Sequence, residues 1–176
     1  MITIRNEQPA DGPAIEQLLD LAFEPARHGR PSYRLREGVP KCDALCFAAE
    51  DGGRLLGVIR FWPIVVGGVP ALLLGPIAVH PDHEGQGIGS ALVRNGLAAA
   101  KAGGFGIVIA VGFIEFLGRF GFRHASPLGL RFPVRVDDTR FLVHELVPGA
   151  LDGNAGRIEA AKASTTKTPA AGRAAR

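Results

Sequence analysis

The sequence predicts a mixed α/β (α+β) domain, with a central sheet of about six to seven strands, an antiparallel front, one βαβ unit and flanking helices. Three observations carry this. Two glycine turns, Asp51-Gly52-Gly53 and Gly67-Gly68, separate three apolar runs, the pattern of an antiparallel meander. The run Leu72 to Val79 then leads through Gly85-Gln86-Gly87-Ile88-Gly89 into a helical pattern and a further apolar run at Phe105 to Val111, the order of a strand, crossover helix and parallel strand. Finally, 176 residues of 47% apolar composition are enough to bury one core without disulfides or a metal.

Taken in order, Ile2 and Ile4 alternate with Thr3 and Arg5 in a first strand, and Asp11 is placed to cap a helix whose Ile15, Leu18, Leu19 and Ala22 share one face. Phe23 to Lys41 breaks the pattern, with one short helix at Ser32 to Glu37. Arg27, Arg30, Arg34, Arg36 and Lys41 make this segment basic, either as a solvated face or against an anionic substrate. Ala44 to Glu50 and Leu55 to Val66 are the next two strands. In the fourth, Leu72, Leu73, Leu74, Ile77, Ala78 and Val79 suit a strand buried on both faces, and Gly75-Pro76 marks a bend or bulge within it. Ile88, Leu92, Val93, Leu97 and Ala100 stripe the crossover helix, which ends at Gly103-Gly104 as a left-handed cap. Phe113, Phe116, Leu117 and Phe120 follow on a short helix closed by Gly121, and Arg140 to Val147 is the last strand, with His144 half-buried between Leu142 and Leu146.

Residues 1–153 form the expected folded domain. Residues 154–176 are a basic tail rich in Ala, Thr and Lys, predicted disordered because it lacks apolar surface to bury. The five basic residues of positions 157–176 stand against Glu159 alone, a net +4 that exceeds the chain's formal +3, so the body is near neutral at −1. That argues against a nucleic-acid partner. Cys42 and Cys46 are too few for a disulfide scaffold or a four-ligand zinc site and read as small buried hydrophobes. Without a membrane-length apolar run or a signal peptide, the expectation is a cytoplasmic protein with no membrane partner and no metal.

The glycine turn is where a ligand belongs. Backbone N–H groups approach closely there, and the helix beyond aims its unpaired amides and positive dipole end at the same point, which favours an anion.

The run GPIAVHPDHEGQGIGSALVRNGL from Gly75, followed by GRFGF ending at Phe122, resembles the GNAT superfamily of acetyl-CoA-dependent N-acetyltransferases, in particular its YhbS-like predicted acetyltransferases. Strand, glycine turn, helix, strand and GF ending occur in the same order, and a weaker likeness extends from Met1 to about Gly153. The resemblance implies the GNAT fold. It implies that Gly85, Gln86, Gly87, Ile88, Gly89 and Ser90 cradle the pyrophosphate of acetyl-CoA. It implies too that the backbone of Ile77, Ala78 and Val79 holds the pantetheine arm and thioester, between fourth and fifth strands that splay apart.

Two departures from the family pattern stand out. Glu84 occupies the first signature position, where the family has Arg or Gln, although as a first-turn residue it also favours the helix. Leu117, four residues before Gly121, replaces the tyrosine that protonates the departing thiolate in many members. A free thiol has a pKa near 8.5 and losing a general acid costs ~10²–10⁴-fold, so Leu117 implies slower transfer rather than none. For a base, His80 at the end of the fourth strand and Glu115 in the short helix are the candidates.

The implied activity is transfer of an acetyl (acyl) group from acetyl-CoA to an amine of a small molecule or peptide, by direct attack in a ternary complex. The alternative is a catalytically weakened CoA-binding module, an acyl-CoA sensor or a partner subunit. A homodimer is compatible with either.

Overall fold

The computed structural model describes residues 1–161 apart from Glu24. Eight strands form one sheet: β1 (Thr3–Asn6), β2 (Phe47–Asp51), β3 (Arg54–Val66), β4 (Val69–Val79), β5 (Ile107–Val111), β6 (Arg123–His124), β7 (Phe141–Glu145) and β8 (Ile158–Ala160). Their order is β1-β2-β3-β4-β5-β7-β6, with β8 paired to the far end of β3. β1 to β4 are antiparallel neighbours, β4 and β5 are parallel, and β5, β7 and β6 are antiparallel again. This is the expected meander followed by one βαβ unit.

The two strands that the sequence did not place, in a sheet expected to have about six to seven, are short. β6 has two residues, and β8 lies past the expected boundary at residue 153, because Ile158 is fully buried and pairs with Val66. The folded unit therefore reaches at least Ala161. The rest of the basic tail lies outside the described residues.

Three helices flank the sheet: α1 (Gly12–Ala22), α2 (Ile88–Ala102) and the single turn α3 (Ile114–Leu117). One face carries α1, whose Ile15, Leu18 and Leu19 pack on Val58 and Ala78. The other carries α2 and α3, whose Ile88, Leu92, Val93, Leu97 and Leu117 pack on Ile59, Phe61, Leu72 and Leu74. Asp11 does not cap α1 as expected; its carboxylate accepts instead from Arg5 and from the Gln8 amide. The short helix expected at 32–37 is a 3-10 turn over Pro31–Leu35, and the start of the expected 44–50 strand is a 3-10 turn over Asp43–Leu45. Gly104 makes the left-handed end of α2, and its amide bonds the Lys101 carbonyl at 3.0 Å. Burial pushes the thiols of Cys42 and Cys46 up to about 11 and about 12, so both stay neutral, as small hydrophobes should.

The expected bulge falls in β4. Ile77 pairs with Ile59 but Leu74 pairs with Phe61, so Gly75 and Pro76 together stand opposite Arg60. The extra residue switches the parity of the strand. Leu72 and Leu74 face α2 before it, and Ile77 and Val79 face α2 after it.

Packing of α2 is tightest at Gly96, where an added methyl would stand 2.6 Å from the Phe61 ring. Gly96→Ala should therefore destabilise the fold by about 1–3 kcal/mol in urea unfolding, despite alanine's better helix propensity.

His144 is half-buried against Phe122, with Nδ1 3.0 Å from the Gly121 carbonyl, and its burial lowers its pKa. The native state thus prefers the neutral ring more than the unfolded chain does, so its stabilising contribution is complete above pH 6.5 and is lost as pH falls below it. His144→Gln should flatten the loss of stability between about pH 7 and 5, read by denaturant unfolding at each pH.

Candidate active site

β4 and β5 hydrogen-bond over three pairs, Leu72 with Val108, Leu73 with Ile109 and Leu74 with Ala110, and then part at the bulge. A cleft of about 960 Å³ opens there, large enough for a cofactor-sized ligand.

The β4 wall offers free backbone. The His80 amide donates to the Leu56 carbonyl on β3 at 2.7 Å, and strand alternation then turns the amide and carbonyl of Ala78 to β3 as well. Those of Ile77 and Val79 point the opposite way, into the cleft that both residues line. Ala78 is corrected by this register: its backbone is used by β3 and its side chain is buried against α1.

At the outer end the chain turns through Pro81–His83 and the glycines into α2. Gly87 is the residue before the helix, at φ +81° and ψ 8°. A side chain there would meet no atom within 4 Å, so backbone conformation rather than space calls for glycine. The Ala91 amide bonds the Gly87 carbonyl at 3.0 Å and closes the first turn. The amides of Gly85, Gln86, Gly87, Ile88, Gly89 and Ser90 have no acceptor among the described residues. Of these six residues all but Gln86 line the cleft; the Gln86 side chain meets His83, Oε1 3.4 Å from Nδ1.

Glu84 is exposed and extended at the cleft mouth. It ends the Pro81–His83 turn, four residues before α2, so it is not the first-turn helix residue that the sequence suggested. Across from it stands Arg119, which donates to Ser90 Oγ at 2.7 Å while its guanidinium lies over the rings of Phe116 and Phe120. A cation therefore stands beside the amide cradle, supplied by the segment after α3 and not by the signature position. Only the return of the chain at Gly118–Phe120 brings it there, so no local spacing could reveal it.

Neither expected base is in the cleft. His80 caps the Pro81–His83 turn, accepting from the Asp82 amide on Nδ1 and meeting Arg54 on Nε2 at 3.3 Å. Glu115 is exposed on the outer side of α3. Leu117 does line the inner end, 3% exposed, and carries no proton to give.

The remaining wall comes from residues 22–36. Arg27, Arg30, Tyr33 and Arg36 line the cleft, and with Arg119 and Arg140 they set five arginines against one carboxylate, Glu84. Arg27 is committed to Glu16 and Asp20. Arg34 pairs with Glu37 and Lys41 with Asp43, so part of the basic segment is a solvated face and part lines the cavity. Among the described residues there is no group of three or more His, Cys, Asp or Glu placed to hold a metal, and no helix long and apolar enough to cross a membrane.

Residues 13–122 match the acetyltransferase (GNAT) family, and the chain belongs to that family. It is 34% identical over 158 residues, 89% of this chain and 94% of the relative, to YhbS of Escherichia coli K12, an uncharacterized N-acetyltransferase. The fold matches the crystal structure of Escherichia coli YhbS in complex with CoA with a TM-score of 0.79, at 32% identity over 91% of this chain and 89% of that one. It also matches a GNAT family acetyltransferase from Brucella melitensis in complex with acetyl-CoA, with a TM-score of 0.67, at 29% identity over 93% and 97% of the two chains.

Proposed function

We propose that the protein transfers an acetyl group from acetyl-CoA to an amine. The observation that carries this reading is the continuity of one cleft from the unpaired amides at Gly85–Ser90 to the free strand edge at Ile77 and Val79. The amides and the α2 dipole receive the pyrophosphate, and Arg119 supplies the positive side chain that Glu84 cannot. The uncharged pantetheine arm lies along β4 and exchanges strand-like hydrogen bonds with Ile77 and Val79. Relatives of this fold crystallised with CoA and acetyl-CoA support the same ligand here.

In the reaction the amine nitrogen forms a bond to the thioester carbonyl carbon, the carbon–sulfur bond breaks with its electron pair going to sulfur, the nitrogen's proton passes to water, and the CoA thiolate takes up a proton from water to leave as the thiol. A backbone amide on the thioester oxygen stabilises the charge that develops, and holding both reactants in one cleft removes the entropy of meeting. An amine with a pKa near 7.7 is about a third free at pH 7.4, so an α-amine needs no strong base, whereas a lysine-type amine near 10.4 does. With His80 and Glu115 outside the cleft, an amine less basic than lysine's is the better acceptor.

The second reading is a CoA-binding module that does not transfer, favoured by the buried Leu117 at the position of the family's tyrosine. Release of free CoA thiol in the presence of amines separates the two, since a binder releases none above the background.

Gly87→Val forces a β-branched residue into a left-handed conformation and should abolish acetyl-CoA-dependent turnover. Arg119→Gln should raise the acetyl-CoA KM roughly 10-fold with kcat little changed. Unaltered acetyl-CoA KM in both variants would place the pyrophosphate elsewhere.

A further inference from the structure

Three cleft arginines are not used by the acetyl-CoA reading: Arg30, which is exposed over Phe23, and Arg36 and Arg140, which are partly buried. Arg36 lies on the wall formed by residues 22–36, stacked over Tyr33 at 4.4 Å and Trp62 at 5.3 Å. Trp62 in turn donates to the Gly75 carbonyl at 2.7 Å, and Arg36 Nη2 would be 3.2 Å from a methyl built on Gly75. Arg140 lies on the opposite side, over Phe113 at 4.4 Å, and its carbonyl accepts from the Gly112 amide at 2.9 Å. Pairing of β4 with β5 ends at Leu74 and Ala110; Gly75 is the next residue of β4 and Gly112 lies two residues beyond Ala110. The two arginines therefore flank the fork where the strands separate.

Among the described residues neither Arg36 nor Arg140 forms an ion pair, although Arg140 is near enough to Asp137 to help lower that carboxyl's pKa. Arg5, Arg27 and Arg60 each hold a carboxylate, while among the described residues Arg36 and Arg140 hold none; like Arg27, each keeps a buried Nε–H with no acceptor. Burial lowers Arg36 to a pKa of about 10, which leaves it charged at neutral pH. Keeping a half-buried cation unpaired is unfavourable for the fold, and it is explained when the partner is a ligand.

The phosphates of acetyl-CoA are not that partner. Four residues of strand, about 13 Å at ~3.3 Å per residue, separate Gly75 from Val79, and the glycine turn lies beyond. The arm that spans this distance is uncharged. What remains at the fork is the acceptor.

Resting on the acetyl-transfer reading, we infer that the acceptor is a small amine that also carries a carboxylate, an amino-acid-type molecule whose carboxylate is held between Arg36 and Arg140 at the fork of β4 and β5. Phe113, 62% exposed on the same rim, offers an apolar surface for its side chain. Planar guanidinium groups suit a carboxylate through paired N–H donors, and both are fixed by aromatic stacking before the ligand arrives.

The test compares L-phenylalanine and L-leucine with their amides and decarboxylated amines as acceptors, following CoA release at saturating acetyl-CoA, with acetyl-CoA affinity measured on the same preparations. The amide has the less basic and so more freely available amine, which makes a preference for the acid diagnostic. The unaltered protein should favour at least one acid over its amide. Arg36→Gln and Arg140→Gln should each lower kcat/KM for that acid roughly 10- to 100-fold, mainly through KM, and lower it far less for the amide. Arg140→Lys should recover part of the loss. Melting temperatures of the variants should hold or rise, because each substitution removes a half-buried cation that has no ion-pair partner. The inference is overturned if no acid is turned over faster than its amide, or if the substitutions slow acid and amide alike. Acetyl-CoA binding without an acid preference defeats this inference alone, whereas no acetyl-CoA binding by the unaltered protein defeats the transfer reading together with it.

Discussion

The parting of β4 from β5 after three hydrogen-bonded pairs is the constraint on which the rest of the molecule depends. A parallel pair buried between helices normally continues until one strand ends, because unpaired backbone in a core is costly. Here the bulge at Gly75 and Pro76 ends the pairing early and also restores Ile77 and Val79 to the face that α2 covers. The core on that face stays continuous while one backbone edge is left without a partner. Free strand edges are usually blunted or covered. This one lies inside a cleft and points at a glycine turn with free amides of its own, an arrangement suited to an extended ligand with an anionic end.

Charge is distributed to match. Outside the tail the chain is near neutral, yet the cleft gathers five arginines around a single carboxylate. Those arginines come from the loop after α1, from the segment closing α3 and from the residue before β7, three stretches separated in sequence that meet only across the fork. Their different surroundings divide the labour. Arg27 is neutralised by acids of α1 and braces the loop, Arg119 stands at the amide cradle, and Arg36 and Arg140 stand unpaired at the inner end.

Much of the fold was legible because its signals are local. The glycine turns, the helical stripe of α2 and the run LLLGPIAV each specify their element within about ten residues, and the interruption by Gly75-Pro76 identified the bulge directly. The boundaries were less legible. Asp11 is drawn to Arg5 rather than to the helix start, and β8 is a three-residue strand in a polar context whose pairing with β3 depends on one buried isoleucine. The site divided in the same way. The glycine cradle could be read from its spacing, but which of Ile77, Ala78 and Val79 faces the cleft follows from strand register, and register is fixed by partners on β3. His80 and Glu115 were reasonable chemistry in the wrong direction: one is consumed as a turn cap and the other lies on the outer side of α3. Arg36, Arg119 and Arg140 had no local signal at all, being ordinary basic residues until the chain folds them together.

The most direct measurement is a calorimetric titration of the protein with acetyl-CoA, set beside ATP and desulfo-CoA. The account predicts micromolar binding of acetyl-CoA and of desulfo-CoA, which share the pyrophosphate and pantetheine arm, and much weaker binding of ATP, which lacks the arm that pairs with Ile77 and Val79. Absence of binding, or equal affinity for ATP, would contradict it, because the strand edge would then contribute nothing to holding the ligand.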